Sequence, residues 1–242
     1  MQTEFSESQF KQIFPETKKF HYWDLARNFI IKRFLNKKET GFVLEIGCGT
    51  GIVVDYLSRS GYKITGVELG NSQVISEVKS KILINTDFIN LSRSISNQIN
   101  TILLLDVLEH IKDPKIFLDN IKNNFKNLKQ IVITLPARKE LWTNYDVYFG
   151  HYSRYDKKNA LDLLSSIKEK EYKVEYSYFF HLLYIPIFLS KFKKSQRSTE
   201  TRAINSFFIR GMHRLLSWMF ILDYFFLPRN LPGSSIILSV KF

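Results

Sequence analysis

The sequence predicts an α/β fold, a mostly parallel sheet with helices on both faces, and three observations carry that expectation. Five short apolar runs of strand type, interleaved with polar or helix-patterned stretches, lie between residues 42 and 136, as in a parallel sheet covered on both sides. The stretch VLEIGCGTG (43–51) sends one of these strands straight into a glycine-rich turn. Two later runs, YKVEYSYF (172–179) and SSIILSVKF (234–242), are separated by about 50 residues, far more than a hairpin loop needs, so the segment between them has its own structure or task.

The elements follow in order. From 17 to 35 the residues Phe20, Trp23, Ile30, Ile31, Phe34 and Leu35 recur at helical spacing, which predicts an amphipathic helix ahead of the glycines. The five strands are FVLEIG (42–47), YKITGVE (62–68), KILIN (81–85), TILLLD (101–106) and QIVITLP (130–136). The sixth alternates apolar and polar residues, and the seventh follows the turn signal Pro232-Gly233. Between them lie two aromatic patches, YFFHLLYIPIFL and LLSWMFILDYFFLP, flanking the basic stretch KFKKSQRSTETR. Neither patch is long enough to span a bilayer, since Pro186 interrupts the first and Asp223 sits in the second. Two packings fit this pattern equally: core helices or a lid over the sheet edge, and a pair of interfacial helices joined by a polybasic link.

At 242 residues and 45% hydrophobic content the chain suits one domain with decorations. Its organisation reads as an N-terminal lid helix (17–40), a core (41–180), an apolar and basic helical insertion (181–232) and a last strand (233–242). Cys48 is the single cysteine, so neither an internal disulfide nor a cysteine metal cage can form within one chain. The N-terminus lacks a basic region followed by an apolar one, so the expected location is cytoplasmic, with a peripheral place on the inner membrane face as an option. The net charge is +12, and residues 181–242 supply +7 of it with nine basic and two acidic side chains. Such a surface attracts nucleic acid or anionic lipid, and charge alone does not choose between them.

Glycines in a turn between a parallel strand and a helix let a ligand approach the backbone. Gly47, Gly49 and Gly51 make G-x-G-x-G, whereas the dinucleotide fingerprint places its third glycine one residue later, which speaks against a nicotinamide oxidoreductase. Acids follow the strand ends. Glu68, 21 positions after Gly47, can accept hydrogen bonds from both ribose hydroxyls of a nucleoside. Asp87 is placed to meet an adenine edge, with Phe88 packed on the ring face, and Asp106 ends the fourth strand. Each acid alone also reads as a helix cap or solvated loop residue.

With these motifs, VLEIGCGTG, the acid closing strand two and VLEHIKDP after strand four, the chain resembles the class I S-adenosylmethionine-dependent methyltransferases. The resemblance runs from about Tyr22 to Asp156 and returns near LPGSS. It implies a Rossmann-like seven-stranded sheet with an antiparallel last strand, S-adenosylmethionine as cofactor and S-adenosylhomocysteine as product. Carried over by position, Glu45 and the backbone of Gly47, Cys48, Gly49 and Gly51 surround the methionine part. Glu68 and Leu69 hold the ribose, Asp87 and the Phe88 amide read adenine, and Asp106 lies beside the cofactor's amino group. FHYWDLARN resembles the helix that closes over the cofactor, which makes Trp23 and Arg27 lid candidates beside their reading as a packing tryptophan and a surface arginine.

WTNYDVYFGHYSRYDKKNAL resembles the G-H-x-x-R-Y stretch after strand five in one branch of these enzymes. It brings Tyr145, Asp146, His151, Tyr152, Arg154 and Tyr155 to the methyl group. His151 and His110 are the expected general bases. Arg154 is expected to hold an anionic part of the acceptor, with Tyr145, Tyr152 and Tyr155 as further acceptor contacts; alternatively His151 and Arg154 brace the following helix. No metal-ligand cluster is expected. The acceptor is expected to be a small or lipid-linked molecule at an anionic membrane surface, with a soluble sugar or metabolite and a non-catalytic cofactor-binding or membrane scaffold as alternatives. Nucleic acid is disfavoured, because the Asn/Asp-Pro-Pro-aromatic tetrapeptides are absent after strand four.

Overall fold

A computed structural model describes residues 15–167, 172–192 and 203–242 of the chain. The seven apolar runs form one sheet: β1 Phe42–Ile46, β2 Lys63–Val67, β3 Ile82–Leu83, β4 Ile99–Leu105, β5 Gln130–Pro136, β6 Lys173–Phe179 and β7 Ser235–Lys241, in the order β3-β2-β1-β4-β5-β7-β6. The first five strands pair in parallel, and β7 runs antiparallel to both β5 and β6. The strand ends β1 to β6 therefore share one edge. The helices are α1 Tyr22–Arg33, α2 Ile52–Arg59, α3 Arg93–Ser96, α4 Pro114–Asn124, α5 Asn144–Tyr148, α6 Lys157–Asp162, α7 Tyr184–Ser190 and α8 Phe207–Phe226.

Two apolar layers hold the sheet. Alternate residues of a strand face opposite sides, so Leu44, Ile102, Ile133 and Leu238 join Phe117, Leu118 and Ile121 of α4 on one face. Val43, Leu103, Val132 and Ile237 join Ile30 and Ile31 of α1, Val54 and Leu57 of α2, and Phe220 and Ile221 of α8 on the other. Helices α1 and α8 pack against each other, and the second face is thus closed by elements from both ends of the chain.

The structure departs from the sequence reading in four places. The expected helix 17–35 is a 3-10 turn, Glu16–Phe20, followed by α1. The break falls at His21, whose extended backbone lets its side chain accept the Trp23 amide at 3.3 Å. Burial first, then the neighbouring His213 and Lys18, push the His21 pKa down to about 4, which keeps the ring neutral and able to accept. Strand three keeps only two of five expected residues, because the edge chain turns away to donate from Thr86 to the Glu68 carbonyl. Pro186 does not interrupt its segment: it lies in the first turn of α7, where its missing N–H has no intrahelical partner to lose. Asp223 does not break the second patch either, since it turns inward and accepts the His181 amide at 2.8 Å. Of the basic stretch, residues 193–202 lie outside the described residues.

Backbone strain collects on the shared edge. Asn85, Asp106, Arg138 and Phe180 are the described non-glycine residues with positive φ, and they stand just past β3, β4, β5 and β6 respectively.

Candidate active site

The glycine turn leaves β1 at this edge. Gly47 and Cys48 donate to the Val67 carbonyl at 2.9 and 3.1 Å, which ties the turn to β2. Gly51 caps α2 with φ 87°, and a Cβ there would lie 2.3 Å from Ile82 Cδ1; only glycine fits both the conformation and the space. Cys48 is buried beside Gly66. Burial, with Glu45 and Glu68 nearby, raises its thiol pKa well above normal, so it is a packing residue and no nucleophile. Glu68 accepts from the Gly49 amide at 2.8 Å and the Gly70 amide at 2.9 Å, clamping both sides of the turn, with Leu69 half-buried between.

At the next strand end, Asp87 caps a 3-10 turn by accepting from the Ile89 amide at 3.1 Å, which leaves its other oxygen for a ligand. Phe88 corrects the sequence reading. Its ring is 4% exposed and packs on Phe117 and Phe125 beneath the sheet, so it does not stack on an adenine; only its backbone remains at the edge.

Arg27 of α1 lies at the centre of a group of acids. It pairs with Asp106, which also accepts from the Thr134 hydroxyl at 3.0 Å, and its guanidinium lies 4.5 Å from the Trp23 ring. Arg27 is thereby largely enclosed, with 11% of its side chain exposed, and is not a surface arginine. Burial raises the pKa of Asp24 against Lys18 and Arg27, and pushes Glu45 up to about 8, with Arg27 opposing and Glu68 assisting. Burial and then Asp106 raise Glu109 well above the usual range. One oxygen of each of these three carboxyls is buried without a hydrogen-bond partner. Such groups are costly unless a ligand completes them. A cofactor that brings a sulfonium and an ammonium fits this set of carboxyl oxygens.

Beyond the acids lies the loop after β5. Asp146 caps α5 by accepting from the Thr143 amide at 2.8 Å. It also meets His151 Nδ1 at 3.0 Å and accepts from Arg154 Nε at 2.7 Å. Burial alone would raise its pKa, but the His151 hydrogen bond and the Arg154 charge hold it at about 2. An ionised Asp146 accepts a hydrogen bond from Nδ1–H of His151, and in that tautomer Nε2 is left as an acceptor. The His110 ring stands edge-on at 4.8 Å from that of His151. Burial and then His151 push the His110 pKa down to about 4, which keeps it neutral.

Arg154 is buried, spends its guanidinium on Asp146 and on the Ala137 carbonyl, and so braces the loop instead of reaching an acceptor. Tyr155 is also buried, with its hydroxyl on the Leu108 carbonyl. Tyr152 is 58% exposed and donates its amide to the Glu109 carbonyl at 2.7 Å, joining the two histidine loops. Tyr145 is half-buried against Phe149.

Sequence reading missed Asp24 and Glu109 and gave Asp146 no specific role. It also expected no ligand cluster, whereas Glu109, His110 and His151 bring one ligand atom each to within 4.8 Å of one another. The signal was available in the adjacent Glu-His pair of VLEHIKDP, but its third member lies 41 residues further on.

A strand order of 3-2-1-4-5-7-6 with an antiparallel seventh strand, a glycine turn and an acid after β2 define the class I, Rossmann-like methyltransferase fold. Residues 18–173 match the family model described as "Methyltransferase domain", and the chain belongs to that family. It is 25% identical over 114 residues to the ubiquinone biosynthesis O-methyltransferase of Escherichia coli O6:H1, covering 39% of this chain and 48% of that protein. The Pseudomonas aeruginosa enzyme of that name is 27% identical over 79 residues, covering 30% and 34%. The chain spans less than half the length of these curated relatives. Among solved structures, a SAM-dependent methyltransferase from Archaeoglobus fulgidus aligns with TM-score 0.55 and 15% identity over 95% of this chain and 99% of that one. The plantazolicin methyltransferase BpumL in complex with SAH aligns with TM-score 0.54 and 16% identity over 97% and 87%.

Proposed function

We propose that the chain methylates a hydroxyl oxygen of an amphipathic acceptor, such as a lipid or a lipid-linked glycan intermediate, with His151 as the general base. The observation that carries the reading is the 3.0 Å contact of His151 Nδ1 with Asp146, on the edge where the cofactor acids converge.

When bound, S-adenosylmethionine supplies a methyl group already activated on a sulfonium sulfur. Glu45 and the backbone of Gly47, Cys48, Gly49 and Gly51 would hold its methionine part, Glu68 and Leu69 its ribose, and Asp87 with the Phe88 amide its adenine. Arg27 would take the carboxylate of its amino-acid part and Asp106 the ammonium, so that each would keep a partner of opposite charge. Trp23 follows Arg27 in closing the site from α1.

The chain's remaining work is alignment and proton removal. Alignment is worth about 7–11 kcal/mol and a general base about 10²–10⁴-fold. His151 Nε2 would take the hydroxyl proton as the acceptor oxygen bonds to the methyl carbon and the carbon–sulfur bond breaks, its electron pair leaving with S-adenosylhomocysteine, and Asp146 would stabilise the resulting imidazolium. His110, held neutral, keeps a second positive charge away from it. Tyr145 and Tyr152 flank the acceptor side.

Two observations support an oxygen atom on an amphipathic molecule. The curated relatives are named as O-methyltransferases, and an exposed aromatic helix packs on the lid helix. The test is transfer from methyl-labelled S-adenosylmethionine into a membrane extract, followed by partition between solvent and water. Label is expected in the organic phase with wild type. Label confined to water would replace this acceptor with a water-soluble sugar or metabolite.

A further inference from the structure

Helix α8 has an unusual division of its surface. It buries a narrow stripe, Ser217, Phe220, Ile221 and Tyr224 with Asp223, at the spacing of one helical face. Its open side carries Phe207 at 92% exposure, Phe226 at 80%, Leu215 at 73% and Trp218 at 54%. The 181–183 turn packs on α8 and leads into α7, where Ile185 and Leu189 are exposed, followed by Phe192 just beyond it. Surface helices normally turn charged residues to water, and a large exposed apolar face marks an interaction site.

Charge selects the occupant. In 181–192 and 203–242 the charged side chains are Lys191, Arg210, Arg214, Arg229, Lys241 and one carboxylate, Asp223, which is buried. Among the described residues the outward charges of these two segments are all positive, and the carboxylate that meets α7 from outside them, Glu140, is already paired with Arg138. A second copy of the chain would bring cations toward cations across a two-fold interface, whereas an anionic surface complements them. The aromatic content, with arginines among the apolar residues, matches a helix lying in a headgroup boundary. Among the described residues no helix is long and apolar enough to cross a membrane.

We propose that the exposed faces of α7 and α8 dock on an anionic lipid bilayer, lying in its surface. The purpose of this docking rests on the amphipathic-acceptor reading above; its existence does not. Helix α8 carries the lid with it: Tyr22 stacks on Phe220 at 5.3 Å and donates its amide to His213 Nδ1 at 3.2 Å, one residue from Trp23. Docking therefore brings the closing helix of the active site to the bilayer.

The experiment is flotation of the full chain with phosphatidylcholine vesicles, with and without phosphatidylglycerol. Wild type is expected to float with the anionic vesicles and to lose most of that binding in high salt. The variant carrying Phe207→Ser, Trp218→Ser and Phe226→Ser is expected to bind roughly tenfold less with unchanged affinity for S-adenosylhomocysteine, since the three side chains point outward. Wild type that stays with the solution at low salt would overturn the proposal. So would a concentration-dependent dimer, or capture by an acidic protein, that the same substitutions abolish while flotation persists. A protein that floats while its methyl label remains in a water-soluble product would sink the acceptor reading and leave the docking surface standing.

Discussion

The two halves of the shared edge are built on different principles. Around β1 to β4 the edge residues are fixed by the backbone: Glu68 is clamped by two amides, Gly51 admits no side chain, and Asp106 is anchored by its own amide on the Thr134 carbonyl at 3.1 Å. Beyond β5 the groups are fixed by one another, since Asp146 alone gathers Thr143, His151 and Arg154. The first half can bind a constant cofactor with little adjustment. The second is a side-chain network that fails as a unit when its centre is removed.

Substitutions should separate the halves. The largest effect is expected for His151→Gln and Asp146→Asn, each lowering kcat by about 10²–10⁴-fold with the affinity for S-adenosylmethionine within about twofold; equal losses in binding, read by titration calorimetry, would show that the two halves are not separable. Glu68→Ala should do the reverse, weakening cofactor binding about 100-fold through loss of charge-assisted hydrogen bonds to the ribose and release of the turn, while acceptor binding is preserved. The smallest effect is a pH dependence. Glu45 has its pKa raised to about 8 by burial, so a cationic ligand that ionises it must expel a proton. Affinity should then rise as pH increases toward 8, by up to about tenfold per unit, and flatten above it. Calorimetry in buffers of different ionisation enthalpy should register the released proton, and an affinity flat from pH 6 to 9 would exclude Glu45 from the cofactor site.

The same contrast explains what could be read in advance. Strands β1, β4 and β5 are largely apolar runs buried on both faces, and the ends of β2, β3 and β4 locate Glu68, Asp87 and Asp106 without further information. Direction was harder. The sequence places Phe88 next to Asp87, but cannot say that successive residues part company there, the acid staying at the edge and the ring turning under the sheet. Arg154 and Tyr155 looked like acceptor contacts because they are polar and close to His151; their burial depends on Ala137 and Leu108, which reach them only through the fold. Glu109 was passed over for a similar reason, as a carboxylate becomes informative only when desolvated. Pro186 and Asp223 read as interruptions because position within a helix turn and inward rotation are tertiary facts.

The left-handed residues after β3 to β6 bear on how this chain could be stabilised. Each holds a conformation costing about 1–2 kcal/mol relative to glycine, so Asn85, Asp106, Arg138 and Phe180 form a reserve that an engineer seeking heat resistance would be drawn to relax. That reserve lies along one rim, and the rim is where the chain must turn sharply to aim its loops at a shared ligand. Robustness taken from it is taken from catalysis, and the safer gains lie at the opposite ends of the strands.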